Sequence, residues 1–168
     1  MKITLNPNAV PAEKREALIA EGGFGKYYTD HMVVCDWSQE SGWSEPELVP
    51  YGPLTLDPAT AVFHYGQEIF EGMKAYRQPD GSVALFRPEA NARRFAKSAA
   101  RLALPEMPEE LFLETVNTLV KQDIHWVPNQ VGESLYIRPF MIATEVGLGV
   151  RPSNKADRKS TRLNSSHL

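Results

Sequence analysis

The chain has 168 residues, 42% of them hydrophobic, and a formal net charge of −3. That is enough for one domain with a real core, or for one lobe of a larger enzyme. The acidic balance argues against a general electrostatic grip on nucleic acid or anionic lipid. No apolar run approaches the roughly 20 residues a membrane helix needs, and the N-terminus lacks a signal-peptide pattern. The expected location is the cytoplasm. Cys35 is the single cysteine, so no internal disulfide framework exists. It stands in an apolar run, MVVCDW, and reads as inert core. No CxxC or HExxH pattern is present, and the four histidines are scattered, so no metal site is expected.

In chain order, Pro11 suits a helix start and Gly22–Gly23 a stop, which predicts a short helix in an N-terminal extension over residues 1–22. A strand is expected around His31–Trp37. The stretch SQESGWSEPELVPYGP reads as turn-rich and irregular. Phe70–Arg77 has strand composition. Pro79-Asp80-Gly81 then makes a turn, and Val83–Phe86 returns as the partner of a hairpin. Pro88 and Glu89 open a helix expected to run to about Leu104, with Phe95, Ala99 and Leu102 as its apolar stripe. Asn91, Arg94 and Ser98 form the row beside that stripe, so Arg94 lies between core and surface while Arg93 faces solvent. Pro108 opens a second helix with Leu111, Phe112, Thr115, Val116, Leu119 and Val120 buried. In the final strand, Tyr136, Arg138 and Phe140 share one face and Leu135, Ile137 and Met141 the other.

The last twelve residues, DRKSTRLNSSHL, break this pattern. Written in codons, Asp157–His167 resembles a widely used sequencing-library adapter. Residues 157–168 are therefore expected to be an artefactual, disordered tail, with the genuine reading frame running on past Ala156. Resequencing the locus tests this, and an authentic stop after Leu168 would sink it.

Two arginines, Arg94 and Arg138, lie at apolar-flanked positions near tyrosines. Burying a guanidinium is costly unless an anion meets it, and its fork fits phosphate or carboxylate with two hydrogen bonds. Two such sites beside aromatic surface suggest a small organic acid, or a phosphorylated cofactor plus an acid. Spacing alone leaves equally open that both arginines pair with the chain's own Asp and Glu.

The motifs FHYGQEIFEGMKAY, LFRPEANARRF, LYIRP and GLGV, in this order and spacing, resemble those of the branched-chain amino-acid aminotransferases. The resemblance covers about residues 23–153. It implies a pyridoxal-phosphate enzyme of the D-amino-acid-aminotransferase-like fold. The fold class expected is then α+β: a small N-terminal lobe over residues 23–156, mainly antiparallel sheet with two packed helices. By the same resemblance Arg94 holds the phosphate of pyridoxal 5'-phosphate. Phe24, Tyr65, Phe70, Tyr136 and Arg138 line the substrate pocket. Leu148 and Val150 belong to a loop that reaches the partner subunit's site in a homodimer. The implied partners are branched-chain amino acids, glutamate and their 2-oxo acids, with no nucleic acid and no membrane. The alternatives are another transaminase or lyase of the same fold, or a non-catalytic small-molecule binding lobe.

The family's Schiff-base lysine lies in its second half, which this chain is expected not to reach. No catalytic residue is assigned here, and Lys74 reads as structural. The 168-residue chain, mixed with pyridoxal phosphate, is therefore expected to transfer no amino group from leucine to 2-oxoglutarate. No internal-aldimine absorbance is expected either, and an aldimine band lost on Lys74→Ala would overturn the reading.

Overall fold

The computed structural model describes the backbone of residues 1–166 and the side chains of residues 1–157. Among the described residues, nine strands and four α-helices follow the order β1 (Lys2–Ile3), α1 (Ala12–Glu21), β2 (His31–Ser38), β3 (Gly42–Trp43), β4 (Glu47–Pro50), α2 (Ala61–Tyr65), β5 (Glu68–Phe70), β6 (Met73–Arg77), β7 (Val83–Leu85), α3 (Pro88–Arg101), α4 (Glu109–Gln122), β8 (Glu133–Ala143) and β9 (Lys155–Ser166), with a 3-10 turn at Ile124–Trp126. The strands form one sheet in the order β1-β4-β2-β9-β8-β6-β7, with β3 on β2 and β5 on β8. Every described pairing except β1 with β4 is antiparallel. The expected α+β lobe of antiparallel sheet and packed helices is what the chain forms.

The sheet has two unlike faces because β8 alternates between Leu135 and Met141. Leu135, Ile137 and Met141 are fully buried, while Tyr136, Arg138 and Phe140 are half-buried. The buried face continues through Met73 and Ala75 of β6 and meets Phe95 and Ala99 of α3 and Phe112 and Val116 of α4. Phe95 and Phe112 pack ring to ring at 5.3 Å between centroids, a geometry that adds to plain area burial. Pro88 starts α3 as predicted. The helix ends at Arg101, three residues short of the expected boundary, because Ala103 turns into the left-handed region at φ 53°. That turn swings Leu104 into the core and leaves Leu102 40% exposed, so Leu102 does not belong to the buried stripe.

Three further differences have physical causes. The stretch after β2 is not irregular throughout: Gly42–Trp43 and Glu47–Pro50 add short strands to β2. The expected strand Phe70–Arg77 is broken at Glu71-Gly72 into β5 and β6, which pair with different parts of β8. The tail, expected to be disordered, continues as β9 between β2 and β8, with Val33 opposite Ser160 on one side and Tyr136 opposite Leu163 on the other. Strands β2 and β8 would otherwise each face an empty ladder, and backbone pairing makes few demands on side-chain identity. The adapter reading concerns the origin of these residues and is untouched by their pairing.

A buried polar network fixes the N-terminal segment to this scaffold. His31 Nδ1 lies 2.7 Å from Asp123 Oδ1, and the His31 backbone N–H donates to Asp123 Oδ2 at 3.1 Å. The Asn6 backbone N–H donates to His31 Nε2 at 2.9 Å. Nε2 is therefore the acceptor nitrogen, so the imidazole is neutral with its proton on Nδ1, directed at Asp123. Asp30 accepts from Trp126 Nε1 at 2.8 Å and from the Val10 N–H at 2.7 Å. Asp30, His31, Asp123 and Trp126 are all less than 9% exposed. Asp123→Ala leaves two buried donors of His31 without acceptors, at about 1–3 kcal/mol each. A lower urea midpoint at an unchanged m value is the expected result, and a variant with the parent's midpoint would refute this role.

Candidate functional site

The break at Glu71-Gly72 is the origin of the site. Glu71 is 5% exposed, and its carboxylate is forked by Arg94, with Nε to Oε1 at 2.7 Å and Nη2 to Oε2 at 2.5 Å. Asn91 Nδ2 donates to Glu71 Oε2 at 2.8 Å and also to the Gly72 carbonyl at 3.2 Å. Arg94 and Asn91 stand one turn apart on α3, so one helix face closes over the strand break. The Glu71 hydrogen bond, followed by its charge, raises the Arg94 pKa further above its usual value. Arg94 nevertheless stays 62% exposed along its side chain. Its Nη1 makes no hydrogen bond among the described residues.

Gly72 matters by what it lacks. A Cβ at this position would collide with the Tyr136 hydroxyl and lie 3.1 Å from its Cε2 and Cζ. The glycine thus lets the phenol lie against the backbone. Arg138 Nε and Nη2 both donate to the Tyr136 hydroxyl, at 3.0 and 2.8 Å. With its lone pairs so engaged, the hydroxyl's own proton is left for an acceptor outside the pair. The Arg138 guanidinium lies 4.3 Å from the Phe70 ring centroid, stacked in a cation–π contact. Phe24 meets Tyr136 edge to face at 5.0 Å. Phe24, Phe70, Tyr136 and Arg138 therefore form one connected cluster.

Tyr136 and Arg94 also line a common groove of about 490 Å³, together with Gly72, Lys74, Tyr76 and Arg87. Lys74, Arg87 and Arg94 bring positive charge to its wall, and no carboxylate side chain is among its lining residues. Arg87 holds a left-handed backbone at φ 49° immediately before Pro88. Backbone of this kind is uncommon for a non-glycine residue and tends to collect at functional sites.

Tyr65 stands apart from this groove. It ends α2, and its hydroxyl donates to the Leu148 carbonyl, so it holds the loop carrying Leu148 and Val150. Those two side chains are 64% and 87% exposed. Glu145 fixes the base of the same loop by accepting from Arg151 Nη2 at 2.6 Å and the Asn154 N–H at 2.7 Å. The structure brings the expected Phe24, Phe70, Tyr136 and Arg138 together and sets Arg94 in the adjoining groove, and it adds Glu71, Gly72 and Glu145, which sequence reasoning did not name. Nothing in a local pattern marks a strand carboxylate as the internal partner of an arginine 23 positions away. Of the two arginines, Arg94 has a carboxylate of the chain as partner, whereas among the described residues the side chains that Arg138 meets are aromatic.

Compared with known proteins, this architecture is that of one lobe of an aminotransferase. No protein-family model matches the chain. It is 57% identical over 158 residues to the branched-chain-amino-acid aminotransferase of Mycolicibacterium smegmatis, covering 92% of this chain and 43% of that protein. It is 47% identical over 156 residues to the mitochondrial enzyme of that name from Saccharomyces cerevisiae, covering 93% of this chain and 39% of that protein. A solved branched-chain amino acid aminotransferase from T.th., complexed with 4-methylvaleric acid, matches at a TM-score of 0.57 and 27% identity, over 77% of this chain and 40% of that one. The same enzyme complexed with N-(5'-phosphopyridoxyl)-L-glutamate matches at 0.59 and 25%, over 77% and 40%. The chain spans about two fifths of the length of the curated relatives it matches. It is a relative of the branched-chain-amino-acid aminotransferases, corresponding to an N-terminal portion of them. Among the described residues no helix is long and apolar enough to cross a membrane, and no cluster of His, Cys, Asp or Glu could hold a metal ion.

The Asn154 N–H and the Arg151 side chain hold Glu145 below its ordinary pKa of 4.5. A carboxyl depressed on folding contributes stability above its unfolded pKa and loses it as pH falls through the folded value. The protection factors of amides in the 146–154 loop should therefore fall as pH drops through the depressed Glu145 value, below 4.5, and Glu145→Gln should lower them at neutral pH. Exchange indifferent to both changes would refute the clasp. Gly72→Ala should displace the Tyr136 ring, visible as a changed ring resonance and a drop in stability of about 1–3 kcal/mol; an unshifted ring would contradict the close approach.

Proposed function

We propose that the whole protein is a branched-chain amino-acid transaminase that uses pyridoxal 5'-phosphate, and that this chain supplies its phosphate grip and part of its substrate wall. The observation that carries this reading is the 57% identity over 92% of the chain to an enzyme of that name. The T.th. relative, complexed in separate structures with a phosphopyridoxyl-glutamate and with 4-methylvaleric acid, supports both the cofactor and the substrate class.

The residues present fit such a cofactor. Lys74, Arg87 and Arg94 together outweigh the single carboxylate engaged by Arg94, and Tyr76 and Tyr136 offer flat walls to a ring. Arg94, oriented by Glu71, would receive the phosphate on its free Nη1 edge; Glu71 therefore positions the arginine rather than competing for it. Pyridoxal phosphate, when bound, supplies the electron sink that lets the amino acid lose its α-proton. Phe24 and Phe70 would bury a branched aliphatic side chain, worth ~25 cal/mol per Å² of apolar area removed from water. Arg138 and the Tyr136 hydroxyl would take a carboxylate through charge-assisted hydrogen bonds. Tyr65 would hold the loop of Leu148 and Val150 against the site of a partner subunit in a homodimer. We assign the protein to the cytoplasm on the same reading.

In the full-length protein, Arg94→Gln is expected to weaken pyridoxal phosphate binding by roughly tenfold to a hundredfold, since a hydrogen bond to a charged group is worth about 1.5–3 kcal/mol. Arg138→Met is expected to raise KM for 2-oxoglutarate more than for leucine while leaving cofactor affinity unchanged. Titration of cofactor and steady-state kinetics with both substrates check this pair. Unchanged cofactor affinity in Arg94→Gln would remove the phosphate role.

A further inference from the structure

The turn between β6 and β7 carries a chemistry that the proposed function does not use. Asp80-Gly81 is the only Asp-Gly or Asn-Gly pair in the sequence. A glycine after an aspartate presents its amide nitrogen without a side chain to screen it, so the nitrogen can approach the preceding carboxyl carbon. Both residues are exposed, and Gly81 holds φ 85°. A Cβ built at Gly81 would meet no atom within 4 Å, so the pair is open to water.

The reaction available to such a pair is isomerisation. The Gly81 nitrogen loses its proton and bonds to Asp80 Cγ, a Cγ–O bond breaks, and one water leaves as a five-membered imide closes. Water then opens the ring at either carbonyl. Opening at Cγ restores aspartate. Opening at the α-carbonyl carbon leaves isoaspartate, whose main chain runs through Cβ and Cγ and is one carbon longer. One water is lost and one is gained, with no oxidation and no cofactor.

Two sets of contacts oppose the first step. The Ser82 hydroxyl and N–H donate to Asp80 Oδ1 at 2.7 and 2.9 Å. These bonds, the hydroxyl's first, hold the Asp80 carboxyl below its ordinary pKa of 3.8, and an ionised carboxylate is a poor electrophile. The Gly81 N–H donates to the Gln78 carbonyl at 2.9 Å, which keeps the attacking nitrogen protonated and engaged.

We propose that Asp80-Gly81 is a site of isoaspartate formation, and that the Ser82 hydroxyl restrains the reaction in the folded chain. The extra carbon would fall inside a turn closed by the Gln78 N–H on the Ser82 carbonyl at 2.8 Å and by Arg77 Nη1 on the Gly81 carbonyl at 3.1 Å. Arg77 Nη2 also binds the Ile124 and Val127 carbonyls, so a lengthened turn pulls at the tie between the hairpin and the 3-10 turn. Strand β7 leads from this turn directly to Phe86 and Arg87 of the groove. The reaction itself needs only water and is independent of the transaminase reading.

Ageing the full chain at neutral pH tests this, with isoaspartate at position 80 read by electron-transfer fragmentation of the tryptic peptide. The folded parent should accumulate it slowly, and the same chain unfolded in urea faster. Ser82→Ala should raise the folded rate by about threefold to tenfold, the scale on which one hydrogen bond biases an equilibrium. Ser82→Thr keeps the hydroxyl and should restore the parent's rate; circular dichroism verifies that both variants are folded. Asp80→Glu, which would have to close a six-membered ring, should give no such product. Absence of isoaspartate at position 80 in the urea-unfolded chain would overturn the proposal. So would a folded rate equal to the unfolded one, a Ser82→Ala variant that ages like the parent, or a Ser82→Thr variant that ages like Ser82→Ala.

Discussion

The buried carboxylate of Glu71 is the constraint around which the candidate site is arranged. A carboxylate 5% exposed needs hydrogen-bond donors, and among the described residues the facing turns of α3 supply them. Asn91 and Arg94 do so, and in doing so they fix the helix over the gap between β5 and β6. Three consequences share that cause. The strand breaks, so β5 and β6 engage different stretches of β8. Gly72, next to the carboxylate, becomes the spot where the Tyr136 ring rests. Arg94 is held with one edge against protein and the other toward the groove. An arginine positioned by its own internal carboxylate loses little further freedom when a second anion arrives, because the ordering has already occurred on folding.

Strand β8 links this site to the stability of the whole molecule. Its even and odd positions serve different ends: Leu135, Ile137 and Met141 close the core under α3 and α4, and Tyr136, Arg138 and Phe140 look the other way. A one-residue slip would exchange the two sets. The penalty for burying Arg138 in place of Ile137 is therefore what locks the phenol and guanidinium on the groove side. The core does not merely support the site; it determines which side chains can be in it. The same parity in β6 separates Lys74 and Tyr76, which line the groove, from Arg77, which does not.

These periodicities were legible in the sequence, and so were the elements they define. The alternation of LYIRPFM, the Pro-Asp-Gly turn and the starts of α3 and α4 all lie where their local chemistry puts them. What was illegible depended on partners distant in the chain. Glu71 in IFEGMK looks like any solvent-facing strand residue until Arg94 is seen above it. Leu102 fits the 3.6-residue period of α3, yet the left-handed turn at Ala103 hands its place in the core to Leu104. The Asp30, His31 and Asp123 network joins residues more than 90 positions apart and has no motif to announce it. Strand β9 is a case of a different kind. A vacant ladder between β2 and β8 recruits backbone whatever the side chains are, so composition is a poor guide to whether that segment is a strand.

The pairing of Arg138 with aromatic groups rather than with a carboxylate gives the cluster its chemical latitude. Arg94 is matched by Glu71 and so has a fixed orientation. Arg138, by contrast, is stacked on Phe70 and braced by the Tyr136 hydroxyl, which holds its position without neutralising its charge. On the proposed reading, this is what a pocket needs if it must accept both a branched aliphatic side chain and the distal carboxylate of glutamate. An internal acid at Arg138 would compete with the second ligand, and an arginine without its aromatic bed would lose rotamer entropy each time a ligand bound. Stacking avoids both penalties: the ring surfaces of Phe70 and Phe24 remain available to hydrocarbon, and the guanidinium edge remains available to an anion. Two arginines of one small lobe thus do different work because of what each rests on, a buried carboxylate in one case and a pair of rings in the other.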